Sequence, residues 1–221
     1  MKLVAHRGHG GPENTVEAAQ RAYRLPAFAA VEVDVRLTAD QVLVLAHDDM
    51  IGDCVVRDCS LAQLRQKRPE LATLPEVLQL HRAQPGGEKE LVLDLKHRDV
   101  VAPLAALLAP PAEMERVLLI AFDHDIIDAL QPQLPGMRML YLLEAGDDVA
   151  AAVQRVRRTG VAGLDLDVKL LPQVRPEWRL LFPLWICWCD QEFDTPQLLR
   201  HTRQQYPWLQ RYTTDLAHIS V

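Results

Sequence analysis

Several common signposts are missing from this chain. There is no C-x-x-C pair, so neither a zinc ribbon nor a thioredoxin-type redox centre is indicated. Of the four cysteines, Cys187 and Cys189 lie two apart on an expected strand, so they share a face and cannot easily bridge each other. Cys54 and Cys59 fall in a polar loop, and reduced thiols are expected throughout. Positive charge is not in surplus: 24 Lys and Arg against 30 Asp and Glu leave a net charge of −6, which argues against a nucleic-acid partner. No apolar run is long enough to span a membrane, and the stretch Met1 to His6 is too short for a secretory signal. The expectation is a cytoplasmic protein with no stable membrane association. A dinucleotide fingerprint is absent too, because Gly8 and Gly10 are followed by Glu13 where a third glycine belongs. Repeats, low-complexity tracts and long linkers are also lacking.

What is present is an alternation. The 221 residues are 49% hydrophobic, enough to bury the core of one large α/β domain. Strands are expected at 2–6, 30–37, 90–95, 116–121, 137–143, 161–166, 183–189 and 211–214. Helical patterns fall between them, at 14–24, 74–83, 99–108, 124–131, 147–159 and 196–205, while 167–182 is broken by Pro172 and Pro176. Asn14 with Glu17 three residues later predicts a capping box for the first helix. Alternating strands and helices imply a parallel sheet covered by helices. Eight strands in a chain of this length fit a (β/α)8 TIM barrel, read as a single α/β domain over 1–221.

One interval departs from the alternation. "VEVDVRL" at 31–37 and "VLVLAH" at 42–47 are joined by "TADQ", which predicts a β-hairpin with a four-residue turn. Pairing about its centre would set Leu37 opposite Val42, Val35 opposite Val44 and Val33 opposite Ala46. Glu32 would then oppose His47, with Asp34 on the same face.

Glu32 and Asp34 lie two apart on a strand, so both carboxylates project from one face. Two close anions repel, and burial makes this worse; a divalent cation with oxygen ligands, Mg²⁺ or Ca²⁺, is the natural remedy. Asp94 adds a third carboxylate inside a Leu-rich strand, where it needs a partner. The first three strands of the expected barrel all end in polar residues: His6-Arg7, Glu32-Asp34 and Asp94-Lys96. His6 and His47 flank this cluster and suit an acid–base pair near neutral pH. The other histidines, at 9, 81, 97, 124, 201 and 218, are expected to be structural or exposed.

The segments "HRGHGGPENT", "EVDVRLTADQVLVLAHDD", "LDLKH", "AFDH", "WICWCD" and "YTTD" resemble the glycerophosphodiester phosphodiesterase family. The resemblance runs from end to end and implies a (β/α)8 barrel. It also implies metal-dependent hydrolysis of a small-molecule phosphodiester to glycerol 3-phosphate and an alcohol. Carried over by position, His6 and His47 match catalytic histidines, Glu32 and Asp34 metal ligands, and Arg7 and Lys96 phosphate-binding cations. Phe122 and Trp188 are candidates for an apolar wall of the substrate site. Asp94 stands where the family usually has Glu, one methylene longer. The segment after His47, residues 48–73, reads as a shortened insertion after the second strand, with mixed charge and no aromatic residue. An aromatic cage for choline is therefore not expected from it. Two neighbouring readings are a different phosphodiesterase or lysophospholipase D-like activity on the same fold, and a barrel that binds a phosphorylated metabolite without turnover. An enolase-type barrel would spread its ligands over later strands.

Overall fold

The computed structural model describes residues 1–84, 89–109 and 116–216. Eight parallel strands close on themselves: β1 (Lys2–Ala5), β2 (Phe28–Leu37), β6 (Glu90–Leu95), β7 (Val117–Ala121), β8 (Arg138–Leu143), β9 (Gly163–Asp167), β10 (Leu184–Trp188) and β11 (Arg211–Thr214). In that order each strand pairs with the next, and β11 pairs back onto β1. Strand β3 (Leu43–Leu45) runs antiparallel beside β2, outside the ring. A small hairpin, β4 (Met50–Ile51) and β5 (Cys54–Val55), follows it.

Side-chain alternation explains the layering. Outward residues such as Val31, Val33, Leu91, Leu93, Val117 and Leu119 join the helices in the main core. Inward residues Val4, Ala30, Val92, Leu118, Ile120, Leu140, Leu142, Leu184 and Ile186 fill the barrel axis. The covering helices are α1 (Val16–Arg24), α3 (Leu74–Arg82), α4 (Val101–Leu108), α5 (His124–Leu130), α6 (Val149–Thr159) and α7 (Pro196–Gln205). Short 3₁₀ turns at Val168–Gln173 and Pro176–Trp178 take the place of a helix after β9, with Pro172 inside the first. Among the described residues no helix is long and apolar enough to cross a membrane, and all four cysteines are free.

Three local expectations need correction. Thr15, not Asn14, caps α1, accepting from the Ala18 N–H at 3.1 Å. The hairpin register is shifted by one residue: Val35 faces Leu45 and Leu37 faces Leu43. The turn is shorter than expected because Gln41 adopts a left-handed conformation (φ 62°) and the Thr38 N–H bonds the Val42 carbonyl at 3.0 Å. Every residue from Val42 to Ala46 is apolar, so apolarity could not choose the register. Leu43 and Leu45 enter the main core, while Val44 and Ala46 pack on a separate cluster with Leu64 and Leu71. Finally, the 48–73 segment carries a helix of its own, α2 (Leu61–Lys67), started by a Ser60–Gln63 capping box. Its two turns are too short to show a hydrophobic period.

Candidate active site

The first strand ends at Ala5, and the loop that follows is shaped by backbone strain. Arg7 sits at φ 51°, a left-handed conformation that costs a side-chain-bearing residue roughly 1–2 kcal/mol. The turn aims the Arg7 N–H at Glu32 Oε2, 2.9 Å away. Gly8 follows at φ 88°, where an added Cβ would lie 2.7 Å from Ala18 Cβ; here only glycine lets the loop dock on α1. The Arg7 guanidinium bonds Glu13 Oε2 at 2.9 Å and lies 3.2 Å from Asp34 Oδ2.

Glu32, Asp34 and Asp94 converge as the residue alternation requires. All three are buried, and each offers an oxygen within 4.8 Å of the others. Lys96 reaches back over the cluster, with Nζ 2.8 Å from Asp34 Oδ1 and 2.5 Å from Asp94 Oδ2. Asn14 fixes Asp34 from the other side: its amide donates to Oδ2 at 2.7 Å, and its carbonyl accepts the Asp34 N–H at 3.0 Å. Asn14 (φ 56°) is therefore a clamp on a carboxylate rather than a helix cap.

The electrostatics separate the three acids. Burial and the neighbouring Asp34 push the Glu32 carboxyl up to about 8. Burial also acts on Asp34, but Lys96, Arg7 and Asn14 hold it below the ordinary carboxylate range. Asp94 is raised by burial, and its Oδ1 is buried without a hydrogen-bond partner. Excess negative charge and an orphaned carboxylate oxygen are features that a divalent cation satisfies, and the all-oxygen donor set suits Mg²⁺ or Ca²⁺. The residues fit such an ion.

Both candidate histidines line the same cavity, about 350 Å³ in volume, together with Glu32, Asp94 and Lys96. His6 Nδ1 lies 3.2 Å from Asp215 Oδ1. Asp215 is held in turn by its N–H on Asp194 Oδ2 at 2.8 Å, which also accepts from the Thr214 hydroxyl at 2.6 Å. Burial works against a charged His6, yet Asp215 and Glu32 leave its pKa raised. His47 lies just beyond β3, and Arg36 anchors its carbonyl at 2.7 and 3.0 Å. Its Nδ1 meets Asp48 at 2.8 Å. In both rings a carboxylate engages Nδ1 rather than Nε2.

Ile120, Phe122, Leu142 and Trp188 form the facing wall. Phe122 and Trp188 meet edge to face with ring centroids 5.6 Å apart, and Lys96 Nζ lies 6.0 Å from the Phe122 centroid. All nine residues singled out from the sequence thus gather at the C-terminal ends of the strands, the end where barrel enzymes place their chemistry. Of the remaining histidines, His81 is buried against the Tyr23 hydroxyl at 2.8 Å, and His97 caps a turn by accepting from Asp99 N. His218 lies outside the described residues. Sequence reasoning assigned no role at the site to Asn14, Asp215 or Asp165. Asp165 had a legible signal in "GLDLD", which places two acids on one face of a strand.

The barrel and its convergent acids define a class: a TIM-barrel protein whose acidic cluster can hold a divalent cation. The profile of the glycerophosphoryl diester phosphodiesterase family matches residues 6–174, and the chain belongs to that family. It is a phosphodiesterase by class. A glycerophosphodiester phosphodiesterase of Caldanaerobacter subterraneus is 27% identical over 169 residues, covering 65% of this chain and 67% of that one. Other curated relatives align over 30–31% of this chain and 23–30% of their own lengths. A crystal structure of a glycerophosphodiester phosphodiesterase from Parabacteroides distasonis superposes with a TM-score of 0.83 at 24% identity, over 98% of this chain and 93% of that chain. A phosphodiesterase from Oleispira antarctica, solved with the product sn-glycerol-3-phosphate, superposes with a TM-score of 0.77 at 19% identity, over 98% and 94%.

Proposed function

We propose that this chain hydrolyses glycerophosphodiesters to glycerol 3-phosphate and an alcohol, with His6 and His47 as the acid–base pair. One observation carries the reading: two imidazoles, each engaged by a carboxylate, open onto one cavity lined by Glu32, Asp94 and Lys96, with Asp34 buried against those two acids. A diester monoanion repels nucleophiles, so its charge must be neutralised before attack. Glu32, Asp34 and Asp94 would hold the divalent cation, which when bound supplies that neutralisation and polarises the phosphoryl group. Arg7 and Lys96 pair with non-bridging oxygens of the phosphate. One histidine takes the proton of the attacking hydroxyl, and the other returns a proton to the departing alkoxide. Asp215 sets the His6 ring by fixing Nδ1.

The choice of glycerol 3-phosphate as product draws on the family and on the Oleispira antarctica phosphodiesterase, whose solved complex contains that molecule. The test is product analysis on glycerophosphocholine with Mg²⁺, with Ca²⁺ and with chelator. Glycerol 3-phosphate and choline should appear only with cation. Phosphocholine and glycerol as products, or full activity in chelator, would refute this reading.

A further inference from the structure

Cys54 and Cys59 take no part in the site described above. Cys54 opens β5, directly opposite Ile51 on β4. One 3₁₀ turn, Val56–Asp58, then brings the chain back to Cys59, whose N–H bonds the Val56 carbonyl at 3.4 Å. Both cysteines are half-buried, and both pack on the same small cluster, which includes Ala46, Ile51, Val56 and Leu64. The two thiols meet there, and their hydrogen bond holds the Cys59 proton more firmly than an isolated thiol would. Among the described residues no third His, Cys, Asp or Glu joins the pair within reach of a shared metal ion. The pair is a dithiol, not a metal centre.

Cys54 has a different electrostatic setting from Cys59. Its Sγ lies 3.9 Å from Asp53 Oδ1, and Lys67 Nζ pairs with that carboxylate at 2.9 Å. The Lys67 ammonium is close enough to Cys54 for the two charges to attract. A neighbouring cation favours the thiolate, the form of cysteine that attacks.

The other two cysteines provide the contrast. Cys187 and Cys189 are buried at the end of β10 and just beyond it. Burial pushes both thiols up, Cys189 to about 11, even though its Sγ meets the Tyr212 hydroxyl at 3.1 Å. Thiols buried in this way are inert.

We propose that Cys54 and Cys59 form a redox-modification site, oxidised reversibly to an internal disulfide by a low-molecular-weight disulfide. The Cys54 thiolate attacks one sulfur of the small disulfide, forms a mixed disulfide and expels one small thiolate. Cys59 then gives up its proton and attacks Cys54 Sγ, which expels the second. Two protein thiols are oxidised and one small disulfide is reduced to two thiols. The second step is favoured because Cys59 already touches its target, while a second small thiol must arrive from solution. The new bond closes within the segment that follows His47, where the Val56 N–H bonds the Asp49 carbonyl at 2.8 Å. The proposal does not depend on the reaction that the barrel catalyses.

The test incubates the reduced native protein with excess oxidised glutathione, then alkylates the remaining thiols and maps the peptides by mass. The product should be two hydrogens lighter, with Cys54 linked to Cys59 and with Cys187 and Cys189 recovered as alkylated thiols. Dithiothreitol should restore all four thiols. Cys59→Ser should stop after the first step, with glutathione held on Cys54. Cys54→Ser should react about tenfold more slowly or less, because the remaining thiol keeps its proton and has no adjacent cation. Four thiols that stay free would overturn the proposal. So would glutathione adducts that accumulate on the wild type in place of the internal bond, or a bond that involves Cys187 or Cys189. Glutathione appearing on Cys59 in Cys54→Ser as fast as on Cys54 in Cys59→Ser would overturn Cys54 as the attacking thiol. The wild-type map needs no variant, so it decides the matter even if neither serine variant folds.

Discussion

On one side of the cavity, β1, β2, β6 and their loops deliver His6, Arg7, Glu32, Asp34, Asp94 and Lys96; on the other, β7, β8 and β10 deliver Ile120, Leu142, Ile186 and Trp188. Both halves use the same strand alternation and the same covering helices. They differ in what keeps the inward positions stable. The apolar half gains by burial alone, at about 25 cal/mol per Å² removed from water. The charged half must pair every group, because a lone buried charge is too costly. Lys96 bridges two acids, Asn14 clamps one, and the Arg7 N–H holds another, yet Asp94 Oδ1 is left over. The charged half thus has a place for a further positive charge, and the apolar half is complete except at Asp165 on β9, where one buried carboxylate oxygen has no partner. Substitutions in the first should change turnover, and those in the second should change substrate preference.

The largest effect is expected at Asp34, the acid touched by Lys96, Arg7 and Asn14. Asp34→Asn should lower kcat by about 10³-fold or more, the upper scale for removing a principal electrostatic element. Circular dichroism should show the fold retained. Alanine at His6 or His47 comes next, at 10²-fold to about 10⁴-fold in kcat, with little change in cation affinity. If the His47 variant kept near-full turnover, the acid–base pairing would be wrong.

Asn14→Ala should act through the carboxylate it clamps. Cation affinity should drop roughly 10- to 100-fold, the usual range for residues that orient a ligand. The Asp34 N–H would lose its acceptor, so urea denaturation should show a loss of about 1–3 kcal/mol. Rescue of turnover by excess cation would separate this positioning role from a general loss of structure.

The smallest effects belong to the apolar wall. Phe122→Ala should raise KM by less than about tenfold and leave kcat near wild type, the pattern of binding shared by ground and transition states. Residues 48–73 supply no aromatic residue to cage a choline headgroup. The kcat/KM values for choline, ethanolamine and glycerol diesters should lie within about tenfold, a spread of ~1.4 kcal/mol. A thousandfold preference for one alcohol would mean that the mouth recognises it.

Much of this arrangement was legible in the sequence because alternation is a local property. Glu-x-Asp on β2 and Asp-x-Lys at the end of β6 fix which side chains share a face, and barrel closure brings those faces together. The hairpin register was not legible, because Val42 to Ala46 is apolar on both faces and the turn depended on Gln41 adopting a left-handed conformation. Asn14 was misread for a related reason. Asn and Thr both cap helices, and only the tertiary contact with Asp34 shows which one does. Asp215 meets His6 only because β11 closes the ring onto β1, a pairing of the two ends of the chain that local sequence does not reveal.

Calorimetric titration of the cation-free protein with Mg²⁺ or Ca²⁺, repeated across pH in buffers of different ionisation enthalpy, tests the central claim most directly. Glu32 is held near pKa 8 by burial and by Asp34, so below that pH it carries a proton that a cation must displace. The account predicts one cation per chain and proton release below about pH 8, with affinity rising with pH up to that point and levelling above it; in Asp34→Asn binding should be lost. Binding without proton release that survives Asp34→Asn, or no binding at millimolar cation, would contradict it.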